Sequence, residues 1–261
     1  NRDGSIGVGG CAFCNNKSFS PEYCDAEKSV TQQITEGKAF FRKKYPDMAY
    51  LAYFQSYTNT YGETKKLLAL YKEALACEEV LGIVIGTRPD CIAEDLLEGL
   101  AEIAKETYVC VELGAESIYD ETLKKINRGH TWGCTQETVD RLARKGIDVG
   151  LHFIMGLPGE SRDDMLKVAD EVSKMPIALI KLHQLQIIES SLFARSFLNR
   201  ELDVELWTAE EYLGFFAAFV RRLREDIVIE RFTSQSPPEM VIAPKWGLKN
   251  YEFMNLLRKR I

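Results

Sequence analysis

The sequence predicts an α/β fold with parallel strands, and three observations predict it. Short apolar or aromatic runs alternate with amphipathic segments from residue 50 onward. Runs in the middle of the chain, such as Ile83-Val-Ile85, are apolar at consecutive positions, as strands covered on both faces are. The repeat, roughly 30 residues, is the length of a strand, a crossover helix and the next parallel strand.

Taken in order, Tyr50–Phe54 opens the series as a strand, and Leu67, Leu68, Tyr71 and Leu75 follow at helical spacing. Val80–Ile85 is a second strand, running into the turn Gly86-Thr-Arg-Pro-Asp90. Ile92, Leu96, Leu97, Leu100 and Ile103 then mark a helix. Tyr108–Leu113 is the next strand, with a short helix over 121–126. A longer helix over 135–145 stops at Gly146. Ile147–Met155 is a strand, Ser161–Met175 a helix ended by Pro176, and Ala178–Ile188 one continuous strand. Thr208-Ala-Glu-Glu211 is a capping box opening a helix to about Arg224, and Ile227–Phe232 is a final strand. Periodicity leaves two architectures open, a doubly wound sheet and a complete or partial (β/α) barrel. In both, the chemistry belongs at the C-terminal ends of the strands. The organisation expected is a core over 1–190 and a helical extension over 191–261.

With 33 basic against 39 acidic residues, the net charge of −6 gives no general footprint for nucleic acid. Local basic clusters occur at Arg221-Arg-Leu-Arg224 and Arg258-Lys-Arg260. No apolar run approaches the roughly 18 residues of a membrane span, so no membrane partner is expected. The seven cysteines are odd in number and only two lie close together, which argues for a reducing, cytoplasmic setting rather than a disulfide scaffold.

Those two cysteines form the most informative stretch, Gly7-Val-Gly-Gly-Cys11-Ala-Phe-Cys14. Thiolates at i and i+3 can share a metal or cluster, and glycines let backbone amides approach the sulfurs. Taken alone, the pair is equally a half zinc site, a thioredoxin-like pair or two core cysteines. Zinc needs further ligands, and no second Cys-x-x-Cys is present.

The whole stretch from Asn1 to Cys14 resembles the cluster loop of radical S-adenosylmethionine (SAM) proteins, in particular the YhcC/YtqA-like subgroup. The resemblance continues through Tyr53-Phe-Gln-Ser-Tyr-Thr-Asn-Thr60, Gly86-Thr-Arg-Pro-Asp-Cys91 and Glu112-Leu-Gly. It extends to Ile126-Asn-Arg-Gly-His130, Gly156-Leu-Pro-Gly-Glu160 and Lys181-Leu-His183. Several of these stretches are also similar to the Elongator catalytic subunit and to tRNA methylthiotransferases.

The resemblance implies a partial (β/α)6-type TIM-like barrel, its first strand upstream of residue 1, with a C-terminal extension. It implies a [4Fe–4S] cluster on Cys11 and Cys14, with a third cysteine expected just before Asn1, and Cys24 as the weaker alternative. SAM and an electron donor such as flavodoxin or ferredoxin follow from it. The implied activity is reductive cleavage of SAM to a 5′-deoxyadenosyl radical that takes hydrogen from an unknown substrate. The alternative is a metal- or cluster-containing RNA-binding module or a tRNA-modifying enzyme.

The residues it assigns to SAM are Gln55, Ser56, Tyr57, Thr87, Arg88, Glu112, Glu116, His152, Met155 and Gly156. Arg88 is the candidate for the SAM carboxylate, with an ordinary ion pair as its bland alternative. Glu112 and Glu116 are candidates for ribose hydroxyls. Arg128, His130, His183 and Gln186 are assigned to substrate or to ordering the loop. A strand histidine such as His152 is equally a satisfied core residue.

Overall fold

The computed structural model describes residues 8–15, 21, 23–234 and 236–261. Asn1 to Gly7, the first half of the cluster-loop motif, lies outside the described residues. In chain order the elements are α1 (Val30–Arg42), β1 (Tyr50–Phe54), α2 (Thr64–Leu75), β2 (Val80–Thr87), α3 (Glu94–Ala104) and β3 (Tyr108–Glu116). Next come α4 (Asp120–Lys125), α5 (Trp132–Arg144), β4 (Asp148–Met155), α6 (Arg162–Val172), β5 (Leu179–Gln184) and the short β6 (Ile187–Ile188). The chain continues through α7 (Leu192–Leu198), α8 (Ala209–Arg222), β7 (Val228–Arg231), β8 (Val241–Ala243) and α9 (Asn250–Leu257).

Six strands form one parallel sheet in the order β1-β2-β3-β4-β5-β7, curled into a half-barrel with helices on its convex side. Chain order matches spatial order, so each crossover helix packs on the same face. Successive side chains of a strand point to opposite faces, and here the two faces have opposite character. Ile83, Ile85, Val109, Val111, Leu113, Val149, Leu151, Phe153, Ile180 and Leu182 belong to the main core under the helices. The registered rows on the other, concave face are Gly86–Glu112–Gly150 and Gly114–His152–Lys181. The near-continuous burial of β3 is therefore half apolar packing and half buried polar contact.

Capping follows the sequence. Thr208 and Glu211 make the reciprocal box that opens α8, and Ser161 and Asp164 do the same for α6. The stretch expected as one strand over 178–188 is instead broken after Gln184. Leu185 still donates its N–H to the Met155 carbonyl, but Ile187 and Ile188 turn away to pair with β8 as an antiparallel two-strand ribbon. Gln184 marks the break: its carbonyl accepts from the Ser234 hydroxyl and its side-chain oxygen from the Ser234 N–H, at 2.6 Å.

The expected boundary at 190 falls between β6 and α7. Beyond it the chain sends β7 back to complete the sheet, and α8 packs on α6 and α9. Among the described residues no helix is long and apolar enough to cross a membrane.

Candidate functional site

The cysteine loop lies over the C-terminal ends of β3 and β4, held from two sides. On one side the Ala12 N–H donates to the Ile126 carbonyl at 3.0 Å, and the Asn127 amide donates to the carbonyls of Val8 (3.0 Å) and Gly10 (2.7 Å). Asn127 does this from a left-handed backbone (φ 57°), a conformation asparagine tolerates better than most residues. On the other side Phe193, in α7, donates its N–H to Ala12 O at 2.9 Å. Beneath the loop Ala12 packs with Leu123, Ile126, Ile154, Leu185, Ile187 and Phe193 in a second, smaller core. Gly9 and Gly10 both have positive φ, so the turn into Cys11 depends on them.

Arg128 joins this loop to the sheet. Its guanidinium donates to the Cys11 sulfur at 3.2 Å, to the Gly114 carbonyl, and to Glu116 at 3.1 Å. Both partners of that ion pair are close to fully buried, with side-chain exposures of 8% and 12%. Glu116 sits at an irregularity in the β3–β4 register with φ 66°, and such a bulge re-aims a side chain toward the rim. A Cβ on Gly114 would come within 2.5 Å of the guanidinium and 2.7 Å of the Glu116 carboxylate, so the glycine makes this approach possible. His130 stands beside it, its ring nitrogens facing the carbonyls of Gly114 (3.2 Å) and Thr131 (3.3 Å). Burial, reinforced by the Arg128 charge, lowers its pKa to about 4, so the ring is neutral.

A second cluster lies lower on the concave face. Glu112, 1% exposed, accepts from the Tyr53 hydroxyl (2.6 Å), His152 Nε2 (2.8 Å) and Lys181 Nζ (2.7 and 2.8 Å). Lys181 also meets Glu230 at 2.8 Å and lies 4.5 Å from the Tyr53 ring centre. Side chains from three other strands converge on this one carboxylate because its neighbours in the row, Gly86 and Gly150, have no side chains. Burial alone would raise the Glu112 pKa. His152 and Lys181 outweigh it and hold the carboxyl well below the usual range. His183 lies with its ring centre 5.7 Å from that of His152, and burial keeps it neutral.

Of the residues expected at the site, the structure gathers Cys11, Glu116, Arg128 and His130 around one loop. It gathers Glu112, His152 and His183 in the lower cluster. Gln55, Ser56 and Tyr57 follow β1 at the same rim, Tyr57 with φ 66°.

The remaining candidates are engaged elsewhere. Arg88 makes a two-pronged contact with Asp90 (2.9 and 2.7 Å), the ion-pair alternative. The Thr87 hydroxyl is bonded to Thr60. Met155 points into the main core, and the Gly156 N–H faces the Met165 sulfur at 2.9 Å. Gln186 accepts from the Ser236 hydroxyl at 2.9 Å.

Asn127, Lys181, Tyr53 and Glu230 carry contacts that no motif assigned. Lys181 had a readable signal, because a lysine inside an apolar strand must be met by a carboxylate. Among the described residues no group of three His, Cys, Asp or Glu side chains is placed to hold a metal, Cys24 included. Cys11 and Cys14 therefore offer two thiolates. The loop chemistry fits a cluster, since an arginine N–H already points at one of its sulfurs.

The Radical SAM superfamily model matches residues 6–172, and the Radical_SAM C-terminal domain model matches 177–261. The chain belongs to the radical SAM superfamily. It is 31% identical to the uncharacterized protein YtqA of Bacillus subtilis, covering 100% of this chain and 80% of that one. It is 34% identical to protein YhcC of Escherichia coli, over 94% of this chain and 78% of that one.

Among solved structures it is similar in fold to the archaeal Methanocaldococcus infernus Elp3, with a TM-score of 0.72 at 20% identity. That match covers 88% of this chain, which spans 57% of the Elp3 chain. The radical SAM superfamily is a superfamily of enzymes, and membership implies a [4Fe–4S] cluster and SAM.

Proposed function

We propose that this radical SAM protein reductively cleaves SAM at a [4Fe–4S] cluster whose ligands include Cys11 and Cys14. The resulting 5′-deoxyadenosyl radical then takes hydrogen from a substrate in the concavity of the half-barrel. The observation that carries this reading is the position of the cysteine loop, clamped by Ile126, Asn127 and Arg128 over the strand ends. When bound, the cluster and SAM supply the one-electron cleavage of a carbon–sulfur bond, and this chain's residues bind, orient and shield.

The carboxylate of SAM falls to Arg128 rather than Arg88. The Arg88 fork is filled by Asp90. Arg128 is beside Cys11 and has a buried Nε–H with no partner among the described residues, so a bound carboxylate would satisfy it. Glu116, at the mouth and paired on one side only, suits ribose hydroxyls. Glu112 does not, because its lone pairs already face Tyr53, His152 and Lys181. Its role is to hold the His152 ring in place through Nε2 at 2.8 Å. The two basic clusters are partly neutralised, since Arg222 pairs with Asp170, Arg260 with Glu210, and Arg221 donates to the Arg260 carbonyl.

The test is anaerobic reconstitution of the full-length protein with iron and sulfide, then assay of 5′-deoxyadenosine from SAM under dithionite. Wild type is expected to form it. Cys11→Ala is expected to lose both the iron–sulfur absorbance and the product. A reconstituted wild type that leaves SAM intact sinks the reading.

A further inference from the structure

The Arg128 contact to Cys11 carries a consequence beyond SAM binding. Two contacts hold the guanidinium there, the Gly114 carbonyl and the Glu116 carboxylate, and the missing side chain of Gly114 leaves it room. Asn127, immediately before it, fixes the loop carbonyls of Val8 and Gly10. The cation is buried and has one N–H 3.2 Å from the sulfur. A hydrogen bond to a ligating sulfur, and a fixed positive charge in a region of low dielectric, both favour the more negative redox state of an iron–sulfur centre. Glu116 opposes this in part, because its negative charge lies against the same guanidinium.

We infer that Arg128 is a positioning residue that sets the reduction potential of the cluster through Cys11, with Glu116 as its counterweight. It makes the cluster easier to reduce. This rests on the functional reading above. The step concerned is uptake of one electron from an external one-electron reductant, with no bond made or broken at Arg128.

Potentiometric titration of the reconstituted protein without SAM, followed by electron paramagnetic resonance of the reduced cluster, tests it. Arg128→Gln is expected to disfavour the reduced state at least about tenfold, about 59 mV for a one-electron step. Arg128→Lys should recover part of the shift, since it keeps the charge and loses the fork. Glu116→Gln should shift the potential the opposite way. It also decides the matter if Arg128→Gln fails to assemble a cluster. A wild type that takes up no cluster defeats the functional reading itself. A loaded wild type whose potential is unmoved by Arg128→Gln, or moved downward by Glu116→Gln, overturns the tuning role alone.

Discussion

The floor and the rim of the concave face each pair a carboxylate of β3 with a buried cation, and they do so in different ways. On the floor, Glu112 and Lys181 are both 1% exposed and bonded to each other by two oxygens, with Tyr53, His152 and Glu230 closing the remaining directions. At the rim, Glu116 meets Arg128 through one oxygen at 3.1 Å, and the guanidinium reaches on to a sulfur, keeping one N–H unpartnered among the described residues. A satisfied network rigidifies; an incompletely satisfied one is ready for a ligand. Only three residues separate these glutamates on one strand, and they mark the step from a closed interior to the rim of the sheet.

The sharpest way to break this contrast is on the floor. Lys181→Met leaves Glu112 buried beside an apolar group, and the expected loss is about 3–5 kcal/mol in denaturant unfolding. The double change Lys181→Met with Glu112→Leu should recover part of it, because the buried carboxylate is gone, while Tyr53 and His152 lose their acceptor and the half-exposed Glu230 its partner. If the single change proves as mild as an ordinary surface substitution, the floor is not a closed network.

A pH series separates the two regions. The His130 pKa is lowered in the folded state to about 4. The unfolded chain therefore binds more protons as pH falls from about 6.5 toward 4, and stability declines through that window. His183, also held neutral by burial, contributes in the same window, so His130→Gln should remove only the rim's share of this decline. Glu112 is also depressed, so its contribution is complete above the ordinary glutamate value of about 4.3 and disappears only as pH falls below it. Glu112→Gln should reduce the more acidic limb, to which Asp90, Asp164 and Glu211 also contribute, and leave the first one intact. Thermal melts from pH 8 to 3 would show two separable limbs. A single limb abolished by either change would mean that floor and rim titrate as one unit.

The smallest expected effect is at the loop. Asn127→Ala removes two hydrogen bonds and places alanine at φ 57°, for a loss of about 1–3 kcal/mol in unfolding free energy. Its clearer readout is iron bound per chain after reconstitution, which should fall while the floor's acid limb stays unchanged. Iron content equal to wild type would show that Arg128 and Ile126 hold the loop unaided.

Much of this layout is legible without coordinates. The apolar runs of β2, β3 and β4, and the capping boxes before α6 and α8, follow from local spacing. Asn127 and Lys181 stand in motifs that were visible as patterns, yet their partners are 117 and 69 residues away in sequence. No local rule connects such pairs. The break after Gln184 is similarly hidden, because Leu185, Ile187 and Ile188 remain apolar. Only the return of Ser234 and of β8 shows that they leave the sheet.

What the sequence determined by itself is the alternation of elements, the parallel sheet and the cysteine loop, since each is written in neighbouring residues. Tertiary structure alone decided which partners each carboxylate meets. Glu112 and Glu116 are the same residue type on the same strand, and both carry a motif's promise of binding. Only one lies opposite two glycines, where Tyr53, His152 and Lys181 can converge on it. The other is turned outward by a bulge to meet Arg128 beside Cys11. That difference comes from side chains of other strands crossing the concave face, a long-range arrangement with no signature in the local sequence.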